Sequence, residues 1–174
     1  MELHKTVKGA MAGAAAAAAW AAQQPIDKRL FRYSYDDVEM LGKTFTRGPS
    51  WPLAGALAHL SNGAVFGAGY SLARPFLPGP PAVAALMAVM AEHLASWPLT
   101  RLVDSHHPAR EDIPPLAGNT RAFAQATWRH LVFALVLGEL ERRLNPEGRF
   151  EPPPEVPVGS NGHGNIERAA VGAA

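Results

Sequence analysis

Between Arg47 and Arg74 the chain runs for 26 consecutive residues, 48–73, without an Asp, Glu, Lys or Arg. A helix of about 20 predominantly apolar residues crosses the hydrocarbon core of a bilayer, so this stretch is long enough to span one. Three further charge-poor stretches lie near 9–25, 82–103 and 122–140. Together with 52–73 they predict an all-α integral membrane bundle of four transmembrane helices, filling residues 1–144 of the chain. The expected setting is a membrane crossed several times, with the lipid bilayer as the first partner.

Charged residues make up 18% of the chain, against roughly 25% in an average soluble protein. They are gathered in the connectors. The formal net charge is +1, and the basic residues form no patch, which leaves no footing for a nucleic-acid partner. Cysteine is absent, which removes disulfides, thiolate chemistry and Cys-ligated metal centres.

The first stretch has two readings. Lys5 and Lys8 followed by GAMAGAAAAAAWAAQQ match the charged start, apolar middle and small-residue site of a cleavable secretory signal. Ala and Gly are weakly hydrophobic but suit close helix–helix contact in lipid, which favours a retained first span, ended by Pro25. The connector 26–47 places Phe31, Tyr35, Val38, Leu41 and Phe45 at helical spacing. It predicts a short interfacial helix over 31–46, lying on the membrane surface or against the bundle and started by the Ser34–Asp37 box. Pro98 is placed to kink or end the third span. The fourth is the weakest, because only nine residues separate Arg129 from Glu139, and a soluble amphipathic helix competes with it. Five prolines in 146–157 predict a flexible tail over 145–174. Orientation is not set by charge: six Lys/Arg lie on one side and eight on the other.

Small residues at four-residue spacing let helix backbones approach closely. Gly55, Gly63 and Gly67, with His59 among them, make such a face in the second span; Gly9 and Gly13 repeat the spacing in the first. A polar interior follows from His59 and Asn62, from Glu92 and His93 in the third span, and from Arg129, His130 and Glu139 in the fourth. An ionisable group at membrane depth faces the bundle interior and finds a partner. Arg129 is the expected partner of Glu92, and a protonated Glu92 would instead relay protons. One histidine per span (His59, His93, His130) invites a haem or metal reading. No His pair at i,i+4 and no Glu-x-x-His supports it, so no metal site and no cofactor are assigned. Asp104, His106 and His107 near Glu111 and Asp112 read as a solvated loop. No phosphate loop, nucleophile elbow or HExxH is present, and no catalytic residue is assigned.

GAMAG at 9–13, His59 with FGAGY (66–70), HLASWPL (93–99), RHLV (129–132), ELERR (139–143) and EPPPEVPVGSN (151–161) are spaced along nearly the whole chain. In these features the chain resembles the YagU-like family of small bacterial inner-membrane proteins. The resemblance implies an integral membrane protein with cytoplasmic termini and brings no established substrate. Three functions follow from the residues: a non-enzymatic protein handling protons or small solutes through its polar interior; a structural or accessory subunit docking a homo-oligomer or another membrane protein through Gly/Ala faces; and, last, a haem- or metal-binding membrane protein.

Overall fold

The structure, a computed structural model, describes residues 2–146 and is all-helical over them. Six α-helices follow in order: α1 Glu2–Phe31, α2 Asp37–Phe45, α3 Trp51–Ala73, α4 Pro81–Ser96, α5 Thr100–His106 and α6 Thr120–Leu144. The predicted tail lies outside the described residues from 147 onward.

The long helices run up and down. α1 packs against both α3 and α6, α6 packs against α4, and the short α2 packs against α3. The row therefore reads α3–α1–α6–α4, with no comparable contact joining α3 to α4. At one end Tyr70 Oη donates to Pro81 O at 2.9 Å, and Asn145 Nδ2 donates to Lys5 O at 3.0 Å. The starts of α1 and α4 and the ends of α3 and α6 thus share that end of the bundle.

Backbone approach between α1 and α3 is as close as helices allow. A Cβ at Gly13 would lie 2.0 Å from Gly63 O, and one at Gly67 would lie 2.2 Å from Gly9 O. Gly55 meets a different neighbour: its Cβ would fall 1.9 Å from Val38 O, and that of Gly42 2.1 Å from Trp51 O, so this pair seats α2 on α3. Gly138 does the same for α6 on α4, 2.9 Å from Ala82 Cα. The apolar core beside these crossings is built from Ala12, Ala16, Val89, Phe133, Ala134 and Leu137.

Helix boundaries depart from the sequence in three places. α1 does not stop at Pro25 but continues to Phe31. An interior proline costs about 3 kcal/mol, and here Asp27 and Lys28, beyond it, are held by buried or bridging ion pairs to Arg129 and Asp36. The helix ends instead at Arg32, with φ of 51°, and Tyr33 N–H reaches back to Lys28 O at 3.2 Å, the Schellman closure. The interfacial helix is shorter than 31–46, because Asp36, not Ser34, is its N-cap and accepts from Glu39 N–H at 3.0 Å. The third predicted span is interrupted at Trp97–Leu99 by a 3₁₀ turn around Pro98 and resumes as α5.

Among the described residues one stretch, Pro81–His106, is long and apolar enough to cross a membrane, an 18-residue window of it having a mean hydropathy of 1.4. The four-span expectation is met at that coarser level only. α1 owes its length to weakly apolar alanine, α3 interrupts its run with His59, Ser61 and Asn62, and α6 carries Arg129 and Glu139.

Candidate functional site

Two adjoining polar features occupy the half of the bundle roofed by α2. The first is a buried ion network. Arg129 on α6 is fully buried and grips Asp27 of α1 with a fork: Nε donates to Oδ2 at 2.6 Å and Nη2 to Oδ1 at 2.7 Å. Its Nη1 donates to Asp37 Oδ2 at 2.5 Å, and Nη2 also reaches Tyr35 O at 2.9 Å. Trp20 Nε1 donates to Asp37 Oδ2 at 2.9 Å, Tyr35 Oη donates to Asp37 Oδ1, and Gln125 Nε2 donates to Asp27 Oδ1 at 2.6 Å. Two carboxylates thus face one guanidinium, and neutral donors take up the remaining lone pairs. A buried charge persists only with such partners.

The electrostatics follow from this geometry. Burial pushes the Asp37 carboxyl up, but the Arg129 guanidinium and the bonds from Tyr35 and Trp20 outweigh it and hold Asp37 below the usual carboxylate range. Burial, reinforced by the Asp37 charge, lifts the Tyr35 phenol well above its ordinary value.

The second feature is a cleft of 550 Å³ between α3 and α4, with α1 and α6 as its floor. The sequence-selected His59, Asn62, Glu92, His93 and His130 all line it, together with Trp20. His93 and His130 stand ring to ring, 4.2 Å between centroids, and Trp20 sits edge-on to His130 at 4.6 Å and to His59 at 5.5 Å. Asn62 and Glu92 stand at the exposed mouth, beside Val65 and Leu99.

Hydrogen-bond partners assign the imidazole protons. His59 Nε2 lies 3.1 Å from Ala17 O, a pure acceptor, so it donates there. Thr127 Oγ1 gives its proton to Phe123 O and therefore accepts from His93 Nε2 at 2.9 Å. His130 Nδ1 donates to Ala126 O at 2.7 Å. His59 and His93 are each left with Nδ1 as an acceptor, while His130 Nε2 faces Glu92 Oε2 at 3.3 Å, a contact that needs a proton on one of the two.

Two expectations are corrected. Glu92 does not pair with Arg129; its partner is His130. The reason is angular: consecutive residues on α6 point about 100° apart, so Arg129 turns to α1 and α2 while His130 turns to α4. Glu139 is not interior. It is exposed and bridges Arg142 and Arg143 at 2.8 and 2.5 Å on its own helix, whereas Glu141, two residues on, is the buried carboxylate.

Asp27, Asp37, Gln125 and Trp20 were not among the residues selected from the sequence. Trp20, Gln23, Gln24 and Asp27 fall at i, i+3, i+4 and i+7, one polar stripe on one face of α1, and that stripe is a signal for Trp20 and Asp27 but not for Asp37 or Gln125. The loop histidine His107 is structural: its Nε2 reaches Met40 O at 3.0 Å and its Nδ1 accepts from Ala109 N–H at 3.0 Å, tying the loop to α2. Asp104 caps the backbone N–H groups of Leu116 and Ala117. Among the described residues no group of three or more His, Asp or Glu is placed to hold a metal ion. No family model matches the chain, and comparison with curated proteins and with solved structures returns no match.

Proposed function

We propose that the chain is a multi-pass protein of a bacterial inner membrane, with α1, α3, α4–α5 and α6 as its four spans. In this reading both termini are cytoplasmic, and the cleft between α3 and α4 binds a small solute rather than catalysing a reaction. The observation that carries the membrane reading is the inversion of polarity. The Arg129–Asp27–Asp37 network is sealed inside, while Leu57, Val65, Leu72, Val83, Met87 and Leu94 stand exposed around the outside. Water penalises an apolar surface of that extent, whereas lipid accepts it and drives ionisable groups inward. The shared end for the first and last long helices supports termini on one side, as does the resemblance to the YagU-like family.

The solute reading rests on the cleft, where five polar side chains from three helices converge on one space. The accessory-subunit reading has less support, because Gly9, Gly13, Gly55, Gly63 and Gly67 are consumed in contacts inside the bundle.

Two measurements test the proposal. Alkaline carbonate should leave the protein in the membrane fraction, and release into the supernatant would overturn the four-span reading. A thermal-shift screen of the detergent-solubilised protein against cationic, anionic and neutral solutes should find a class that stabilises the wild type. An affine ligand at about 100 times its Kd adds about 2.7 kcal/mol. Silence across all three classes would overturn the solute site.

A further inference from the structure

The cleft's free imidazole and carboxylate groups are acceptors. His59 and His93 have given their Nε2 protons to Ala17 O and Thr127 Oγ1, and so turn acceptor nitrogens away from those bonds. Glu92 adds a half-exposed carboxylate. Of the donors nearby, Trp20 Nε1, Tyr35 Oη and Arg129 Nη1 all bond Asp37, which leaves the Asn62 amide at the mouth and the Trp97 indole N–H to meet a ligand. A ligand that answers the imidazole and carboxylate groups must bring protons or positive charge.

The Glu92–His130 contact makes the same demand from another direction. His130 Nδ1 donates to Ala126 O, so its Nε2 carries a lone pair when the ring is neutral. That lone pair faces Glu92 Oε2 at 3.3 Å. Two acceptors at that separation repel, so one proton must lie on one or other of them. The pair with its proton is neutral overall. Without the proton it is an uncompensated carboxylate beside an unpaired nitrogen, a site for a cation.

The walls say what kind of cation. Trp20, Phe66 and Phe133 form an edge-to-face aromatic chain, with centroids 6.2 Å apart for Trp20–Phe133 and 5.6 Å for Phe66–Phe133. Trp97 closes the opposite side. Aromatic faces attract cations and also pack apolar bodies. The mouth is framed by Val65 and Leu99, both exposed and apolar, which suits entry from a lipid phase and discourages a small hydrated ion.

We propose that the cleft binds a lipophilic organic cation, which exchanges one for one with the proton shared by Glu92 and His130. This deepens the solute site proposed above and rests on it. The groups facing the pair are His93 on α4, His59 on α3, Asp37 on α2 and Arg129 on α6. Arg129 answers two carboxylates, Asp27 and Asp37, so that network keeps one negative charge that also favours a cation nearby, and Glu92 with His130 holds the proton a bound cation displaces.

Tetraphenylphosphonium is the probe, titrated into the full chain in detergent. In weak buffer, wild-type protein should release one proton per cation bound. Its apparent affinity should fall about tenfold per pH unit once the pair is protonated. Glu92→Gln should lose binding by at least tenfold, and Glu92→Asp should recover part of it. Binding without proton release, at an affinity that does not move with pH, would overturn the exchange. No binding of the cation by a folded wild type, with an anionic or neutral solute stabilising it instead, would overturn the cation assignment and leave the solute site standing. Because proton release is read on the wild type, the test does not depend on a variant folding.

Discussion

Arg129 and Asp27 are 102 residues apart in the chain and meet through two parallel, fully buried hydrogen bonds of 2.6 and 2.7 Å. The fork fixes the relative rotation of α1 and α6. It also places His130, the next residue of α6, into the cleft, where it meets Glu92. One ion pair therefore organises both polar features of the bundle.

Removing Arg129 leaves two buried carboxylates unanswered, which costs roughly 3–5 kcal/mol, whereas removing Asp27 breaks the fork but leaves Asp37 to answer the guanidinium. Arg129→Gln should lower stability in detergent by that amount, Asp27→Asn by less, and the double variant should lose less than the sum. Arg129→Lys should not rescue, since an ammonium cannot form the fork. Glu92→Gln combined with Arg129→Gln should be additive within about 0.5 kcal/mol, because the two share no partner. Denaturation of these six variants, the Glu92→Gln single included, checks this, and additivity within the Arg129–Asp27 pair would mean they do not meet.

Asp37 and Tyr35 predict a stability plateau with two edges. Asp37 is held below its ordinary value, so its contribution is complete above about pH 4 and disappears as pH falls through its folded-state value. Tyr35 is raised, so its contribution is complete below about pH 10 and is lost as pH climbs toward its folded-state value. Melting temperature measured across pH should show both edges, and Tyr35→Phe should flatten the alkaline one. An unchanged alkaline edge in that variant would contradict the burial of the phenol.

Glycines should divide by what they touch. A Cβ at Gly13 would strike Gly63 O at 2.0 Å, a backbone atom that cannot rotate away, so Gly13→Ala should cost about 1–3 kcal/mol as an overpacked contact. Gly69, in the interior of α3, has nothing within 4 Å. Gly69→Ala should gain about 0.5–1 kcal/mol from helix propensity alone. Equal effects at the two positions would remove the close α1–α3 approach.

His107 should control the roof of the cleft. Its ring bonds Met40 O, Thr44 Oγ1 and Ala109 N–H; Met40 O and Thr44 Oγ1 also bond each other, so His107→Ala leaves the buried Ala109 N–H unpaired, at roughly 1–3 kcal/mol, and cuts the tie from the loop to α2. Amide exchange over 37–45 should accelerate while the long helices keep their protection. Uniform acceleration across the bundle would show that α2 is not a separable element.

The long helices were legible in the sequence because helix formation and apolar patterning are local. Runs without charge, proline turns and four-residue glycine spacing appear in one dimension, and so do the five polar residues that line the cleft. Local pattern cannot state which charge meets which. Glu92 and Arg129 are the two charges deepest in their segments, and burial cost alone would join them. What separates them is the angle of about 100° between neighbouring residues on a helix, set against the packing order α3–α1–α6–α4. That order turned Arg129 to a connector aspartate and to one beyond a proline expected to end α1. It also left α3 and α4 apart, and so made the cleft, because a cavity is a relation among helices that no single segment encodes.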